Sequence, residues 1–113
     1  MTDIDALMSA HGHHTYREFL RVPALSLGLF VAPPGHDDTQ QQHQQDEVYL
    51  VLGGRAVLDI DGIRTPVGAG SIAYVPARQV HRFIEISDDL RVLVLFAPPE
   101  DALELQPREP PAS

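Results

Sequence analysis

Along the chain, short runs of Val, Leu, Ile, Phe and Tyr alternate with polar residues and are cut at close intervals by Gly, Pro and Asp. Alternation with period two marks strands with one buried face, and frequent turn residues point to a sandwich or barrel of the all-β class. The pattern predicts strands over 16–21, 25–31, 48–52, 55–60, 63–66, 71–75, 81–85 and 91–96. Gly53-Gly54 and Asp61-Gly62 read as tight hairpin turns, and Asp88-Asp89 as a turn between the last two strands. Ile4, Leu7 and Met8 have helical spacing, so a short helical turn is expected within the first dozen residues. The domain reading is an N-terminal segment over 1–20 that is a candidate for strand exchange, a barrel over 21–98, and a tail over 99–113. Four of the ten prolines, Pro99, Pro107, Pro110 and Pro111, fall in that tail.

Composition narrows the chemistry. A chain of 113 residues with 43% hydrophobic content suits one compact domain. All eight basic residues are Arg, and Cys is absent. Schiff-base lysines, P-loops, thiolate metal sites, disulfides and thiol nucleophiles are therefore excluded. What remains is His, carboxylate, amide and hydroxyl chemistry. A net charge of -8 repels polyphosphate, so no nucleic-acid partner is expected. The apolar stretches fall far short of the roughly 20 residues that span a bilayer, so no membrane partner is expected either. The acidic start lacks the pattern of a secretory signal, and a cytoplasmic location is expected.

The polar segment 36–46 runs straight into the apolar strand that begins at Glu47. Strand side chains alternate faces, so an inward Glu47 takes Tyr49 and Val51 with it, and Gln45, His43 and Gln41 if the extended backbone reaches back that far. A buried carboxylate needs a partner. The segment 81–85 supplies one, because alternation puts His81, Phe83 and Glu85 on one face and Arg82 and Ile84 on the other. If both strands line one interior, His43, Glu47 and His81 converge. Two imidazoles and one carboxylate with open positions form a recognised non-heme iron arrangement, and Mn, Ni, Co or Zn suit the same donors. The competing structural reading is a hydrogen-bonded His-Glu cluster without metal.

These residues carry a family resemblance. Gly35, five residues, Gln41, one residue, His43, three residues, Glu47, six residues and Gly54 follow the spacing of the first motif of the cupin superfamily. Gly70, Pro76 and His81 match the second motif, with Arg78 in place of its second Gly and Glu85 in place of its Asn. The chain thus resembles a small single-domain cupin over roughly residues 25–96. The resemblance implies a double-stranded β-helix barrel of jelly-roll type, with one divalent transition metal (Fe, Mn, Ni, Co or Zn) held inside by His43, Glu47 and His81. Gln41 stands where the family has its first His, and three alternatives stay open for it: a labile fourth ligand, a residue holding a water, or the mark of a site without metal. Arg78 places a cation near the expected barrel mouth, where an anionic substrate or solvent would meet it.

The resulting expectation is a metal-dependent enzyme, dioxygenase-type, acting on a small organic molecule. The alternative is a non-catalytic cupin that binds a small ligand or acts as a sensor. A sugar isomerase or epimerase would need a general base beyond the ligands, and none stands out. Tyr49 and Phe83 are expected to face the cavity as candidate ligand contacts along with Arg78, and Tyr74 to fill core. Gln40, Gln42, Gln44 and Gln45 read as solvated or supporting amides. His11, His13 and His14 form a tract able to bind metal but expected at the surface, and His36 reads as an exposed loop residue. Glu85 is expected to make a hydrogen bond at a strand end. Val48, Leu50 and Leu52 should face away from the cavity, and an aliphatic outer row needs a cover, so a homodimer is expected.

Overall fold

The computed structural model describes residues 3–11, 15–38 and 42–99. One helix, α1 (Ile4–His11), precedes six strands: β1 (Tyr16–Val22), β2 (Leu25–Ala32), β3 (Asp46–Ile60), β4 (Ile63–Gly68), β5 (Ile72–Val75) and β6 (His81–Ala97). All pairings are antiparallel, in the order β1-β2-β6-β3-β4, with β5 on β3. The all-β class is as expected, and so is the short helix. No helix among the described residues is long and apolar enough to cross a membrane.

Four of the expected strands merge into two. β3 takes in both 48–52 and 55–60, and β6 takes in both 81–85 and 91–96, because the two pair with each other along almost their whole length. Gly53-Gly54 is therefore not a hairpin turn. It is a bulged bend where the β3–β6 register shifts, and Asp88-Asp89 lies on the exposed facing stretch of β6 rather than in a turn. A bend this tight needs glycine. Gly54 has φ +89°, and a Cβ there would collide with the Asp89 carbonyl, while one at Gly53 would collide with the Arg91 guanidinium. The Asp61-Gly62 hairpin is as expected, with positive φ at both residues and Ile60 paired to Ile63.

The bends fold the sheet over its own inner face. Phe83, from the first half of β6, stacks on Phe30 of β2 at 5.8 Å and lies 5.2 Å from Tyr49 on β3. Around them a core forms from Val51, Leu58, Val75, Leu90, Val92, Val94 and Phe96. Burial of this apolar face is the main favourable term of the fold. Tyr74 is not part of it. Its register with Val48 puts it on the outer face, 58% exposed, where it bonds Asp46.

On that outer face the strand register aligns apolar side chains into rows. Leu20, Leu27, Leu95, Val48 and Tyr74 follow one another across five strands. One step along, Leu29, Leu93, Leu50 and Ile72 make a second row. Near Leu29 the face is partly covered by α1, whose Leu7, Ala10 and His11 line a cavity of about 270 Å³ with Phe19 and Arg17. His11 is thereby buried, not at the surface as expected, and His36 is half-buried beside the Phe30 ring. His13 and His14 lie outside the described residues. β1 pairs with β2 in antiparallel register.

Candidate metal centre

Alternation along residues 42–51 delivers what the sequence pattern implied. His43, Gln45, Glu47, Tyr49 and Val51 are buried on the inner face, whereas Val48 and Leu50 are half-buried on the outer one. β6 begins at His81, whose register with Ile60 turns its ring inward. His43, Glu47 and His81 then bring one ligand atom each to within 4.8 Å of one another. Gln41 lies outside the described residues.

Glu47 sits between the two imidazoles. Its Oε2 is 3.0 Å from His81 Nε2 and 3.9 Å from His43 Nε2, and the rings are 5.4 Å apart. Despite the short distance, neither Glu47 Oε2 nor His81 Nε2 has a hydrogen-bond partner of suitable direction among the described residues. His81 Nδ1 lies 2.9 Å from the Gln79 carbonyl and donates to it, which orients the ring and leaves Nε2 toward Glu47. The other carboxylate oxygen, Oε1, accepts a 3.0 Å hydrogen bond from the Tyr49 hydroxyl. Burial works against a charged His81 ring, but the neighbouring Glu47 carboxylate outweighs it and lifts the His81 pKa above its ordinary 6.5.

The donors fit a divalent metal. Neighbouring ligand atoms around an ion with bonds of about 2.1 Å stand about 3.0 Å apart in octahedral and about 3.4 Å apart in tetrahedral coordination; Glu47 Oε2 is 3.0 Å from His81 Nε2, and His43 Nε2, at 3.9 Å, would close in slightly on a bound ion. Imidazole nitrogen and carboxylate oxygen suit Fe, Mn, Co, Ni and Zn alike. A carboxylate only 1% exposed is otherwise costly to bury, and aromatic rings flank the imidazoles beside it: Phe96 lies 5.1 Å from His43 and Tyr49 6.1 Å from His81.

One backbone and two side chain–backbone hydrogen bonds hold the two ligand-bearing segments together. Arg78 N donates to the His43 carbonyl at 2.7 Å, Gln42 Nε2 to the Arg78 carbonyl at 2.7 Å, and Ala77 N to Asp46 Oδ1 at 2.8 Å. Arg78 is exposed and its Nε reaches Gln44 Oε1, so its side chain lies on the rim with the exposed Gln42 and Gln44 rather than beside the ligands. Gln45 is instead buried and donates to the Pro99 carbonyl. Arg78 and Glu85, the two departures from the second motif, have φ values of 69° and 51°. Both are left-handed positions, which Gly and Asn enter readily and which cost other residues roughly 1 kcal/mol. Glu85 accordingly leaves the face shared by His81 and Phe83. It is exposed at the bend, not at a strand end, and Ile86 turns inward in its place.

One carboxylate close to the site was not foreseen. Asp38, read as an ordinary loop acid, is buried, and its Oδ2 accepts the Phe83 N–H at 2.8 Å. It does so because residues 33–38 run beside the open edge of β6, where Gly35 N also bonds the Ile86 carbonyl. Burial raises the Asp38 pKa above 3.8, although the Phe83 N–H and the nearby His36, His81 and Arg82 oppose the shift.

Comparison with known proteins agrees with this fold. An uncharacterised protein of Streptomyces coelicolor, SCO3923, is 49% identical over 85 residues, covering 75% of this chain and 81% of that protein. The dimethylsulfoniopropionate lyase DddW of Ruegeria pomeroyi is 32% identical over 71 residues, which cover 63% of this chain but only 47% of the lyase. Among solved structures, TT1209 of Thermus thermophilus superposes with a TM-score of 0.73 at 20% identity, covering 88% of this chain and 97% of that one. The model of the cupin domain matches residues 28–97, which hold both ligand-bearing segments, and the chain belongs to the cupin family.

Proposed function

We propose that the protein binds one divalent metal through His43, Glu47 and His81, with Gln41 as a further ligand or water-holding residue, and acts there on a small organic molecule. The observation that carries this reading is the buried Glu47 Oε2, which faces two imidazoles without a directed hydrogen bond. Bound there, the metal supplies Lewis-acid polarisation of a coordinated oxygen and, where redox active, a route to dioxygenase-type chemistry. The chain's own residues do the rest. Tyr49 holds the carboxylate rotamer through Oε1, the Gln79 carbonyl holds the His81 tautomer, and Phe83 and Phe96 keep water from the site, which strengthens every polar contact inside it. Tyr49 and Phe83 are the walls a ligand would touch, and Arg78 is the cation it would meet at the rim.

Similarity to a dimethylsulfoniopropionate lyase favours a second reading, in which the same centre serves a lyase acting on a small organic acid. The departure at Gln41 from the family's first motif favours a third, a non-catalytic ligand-binding or sensor protein. In each case the protein works in the cytoplasm as a homodimer. Purified protein offered Fe(II), Mn(II), Ni(II) or Zn(II) should take up one ion per chain, and no uptake of any of them overturns the metal reading. The loaded protein screened over small phenols, thiols and organic acids separates the three: oxygen uptake marks the first, elimination products the second, and binding without turnover the third.

A further inference from the structure

We propose that Asp38 is a proton acceptor beside the metal centre, taking a proton from a carbon of a small organic acid; this rests on the lyase reading above and gives that chemistry its base. Three acids are buried among the described residues: Glu47, Asp59 and Asp38. Glu47 belongs to the ligands, and Asp59 is closed by Gly62 N and Arg64 Nε. Asp38 has one oxygen fixed and one open. Its Oδ2 accepts Phe83 N, while Oδ1 is shut off from solvent and has no hydrogen-bond partner among the described residues.

The fold turns that oxygen inward. Residues 33–38 lie along the edge of β6, and alternation puts Asp38 on the same side as His36, whose ring meets Phe30, while Asp37 between them is exposed. Phe83, whose N–H holds the carboxylate, sends its ring to Phe30 and Tyr49 as a wall of the interior. Asp38 and His81 are close enough that each shifts the other's ionisation. A second carboxylate thus stands near the ligands without being one of them.

Such a group is a better base than a surface aspartate. Burial lifts its pKa above 3.8 against the pull of Phe83 N–H, His36, His81 and Arg82, so the ionised form holds a proton more tightly. In the step assigned to it, a C–H bond next to the substrate carboxylate breaks and the proton bonds to Oδ1. The freed electron pair forms a C=C bond as a β-substituent departs with the pair of its own bond to carbon, or returns to carbon when the proton comes back. Asp38 then passes its proton to the leaving group or to water and ends ionised, and nothing is oxidised or reduced.

Deuterium incorporation tests this, with the metal-loaded full chain in D2O and malate, 3-hydroxypropionate and pyruvate as probes followed by NMR. Wild type should exchange the acidic C–H of at least one probe, at a rate that rises with pH through a single ionisation. Asp38→Asn should slow exchange by about 1000-fold and remove that ionisation, while metal uptake and probe affinity, read by calorimetry, stay within about threefold. Asp38→Glu, which keeps the carboxylate, should recover part of the rate. Exchange at the wild-type rate in Asp38→Asn overturns the assignment and leaves the lyase reading standing. Loss of metal or probe binding together with exchange makes Asp38 a positioning residue and overturns it as the base. Wild type that takes up metal but exchanges none of the probes overturns the base and leaves the metal centre, whereas failure to take up any metal overturns the reading beneath it.

Discussion

β3 carries a buried carboxylate near each end, and the two are satisfied in different ways. Asp59, 6% exposed, accepts Gly62 N at 2.9 Å on one oxygen and Arg64 Nε at 3.3 Å on the other. Both donors are always present and one is always charged, so the pair needs nothing from outside. Glu47 is more deeply buried, takes one hydrogen bond from Tyr49, and turns its second oxygen to two imidazoles that need not carry a proton. The lesson lies in the partners, not in burial: a carboxylate closed by permanent donors is part of the scaffold, whereas one closed by groups that are themselves ligands is built to receive a cation.

The largest effect that would break this contrast is on metal affinity. Glu47→Gln and His81→Ala should each weaken metal binding by more than about 100-fold, while Asp59→Asn leaves it unchanged, as read by metal titration of the purified variants. Next, Tyr49→Phe should weaken it by about tenfold without loss of fold, because Glu47 keeps its charge but loses the bond that orients it. Thermal melts of metal-free protein should then separate the two carboxylates by sign. Asp59→Ala should cost about 1 kcal/mol, whereas Glu47→Gln should be neutral or stabilising because it removes a buried charge. Adding metal should reverse the order for Glu47 alone.

Asp38 is the intermediate case and the smallest expected effect. One oxygen is closed by Phe83 N, and its pKa stands above 3.8 in the folded protein. A group so shifted adds stability below pH 3.8 and loses it as the pH rises through the folded value, since the charged form is then buried. Asp38→Asn, which keeps an acceptor for Phe83 N, should therefore melt higher than wild type at neutral pH, with the gain vanishing as the pH falls toward 4. A gain that is the same at every pH would place Asp38 with Asp59 rather than between the two.

The parts legible in the sequence are those set by local rules. Period-two alternation put His43, Glu47, Tyr49 and His81 inward without any knowledge of what they would meet, and Asp61-Gly62 declared its turn through two residues that tolerate positive φ. Gly53-Gly54 misled because a glycine pair suits a hairpin and a bend equally well. The choice falls to β6, which pairs with β3 on both sides of the glycines and so keeps it one strand. Tyr74 misled because aromatic residues favour cores, but β5 is a four-residue strand whose register on β3 points the ring outward. His11 and Asp38 gave no local sign of burial. They are covered only because α1 folds onto the β1–β2 face and residues 33–38 fill the open edge of β6.

By itself, then, the sequence determined the all-β class, the inward parity of residues 43–51 and of His81 and Phe83, and the donor types available for chemistry, because parity and composition are properties of neighbours along the chain. The tertiary structure alone decided that two inward faces bring His43, Glu47 and His81 within 4.8 Å, that one carboxylate is completed by arginine and the other by imidazole, and that the outer rows fall into register. Each of those facts depends on which strands pair and at what offset, and the free energy of that pairing is summed over contacts far apart in the chain.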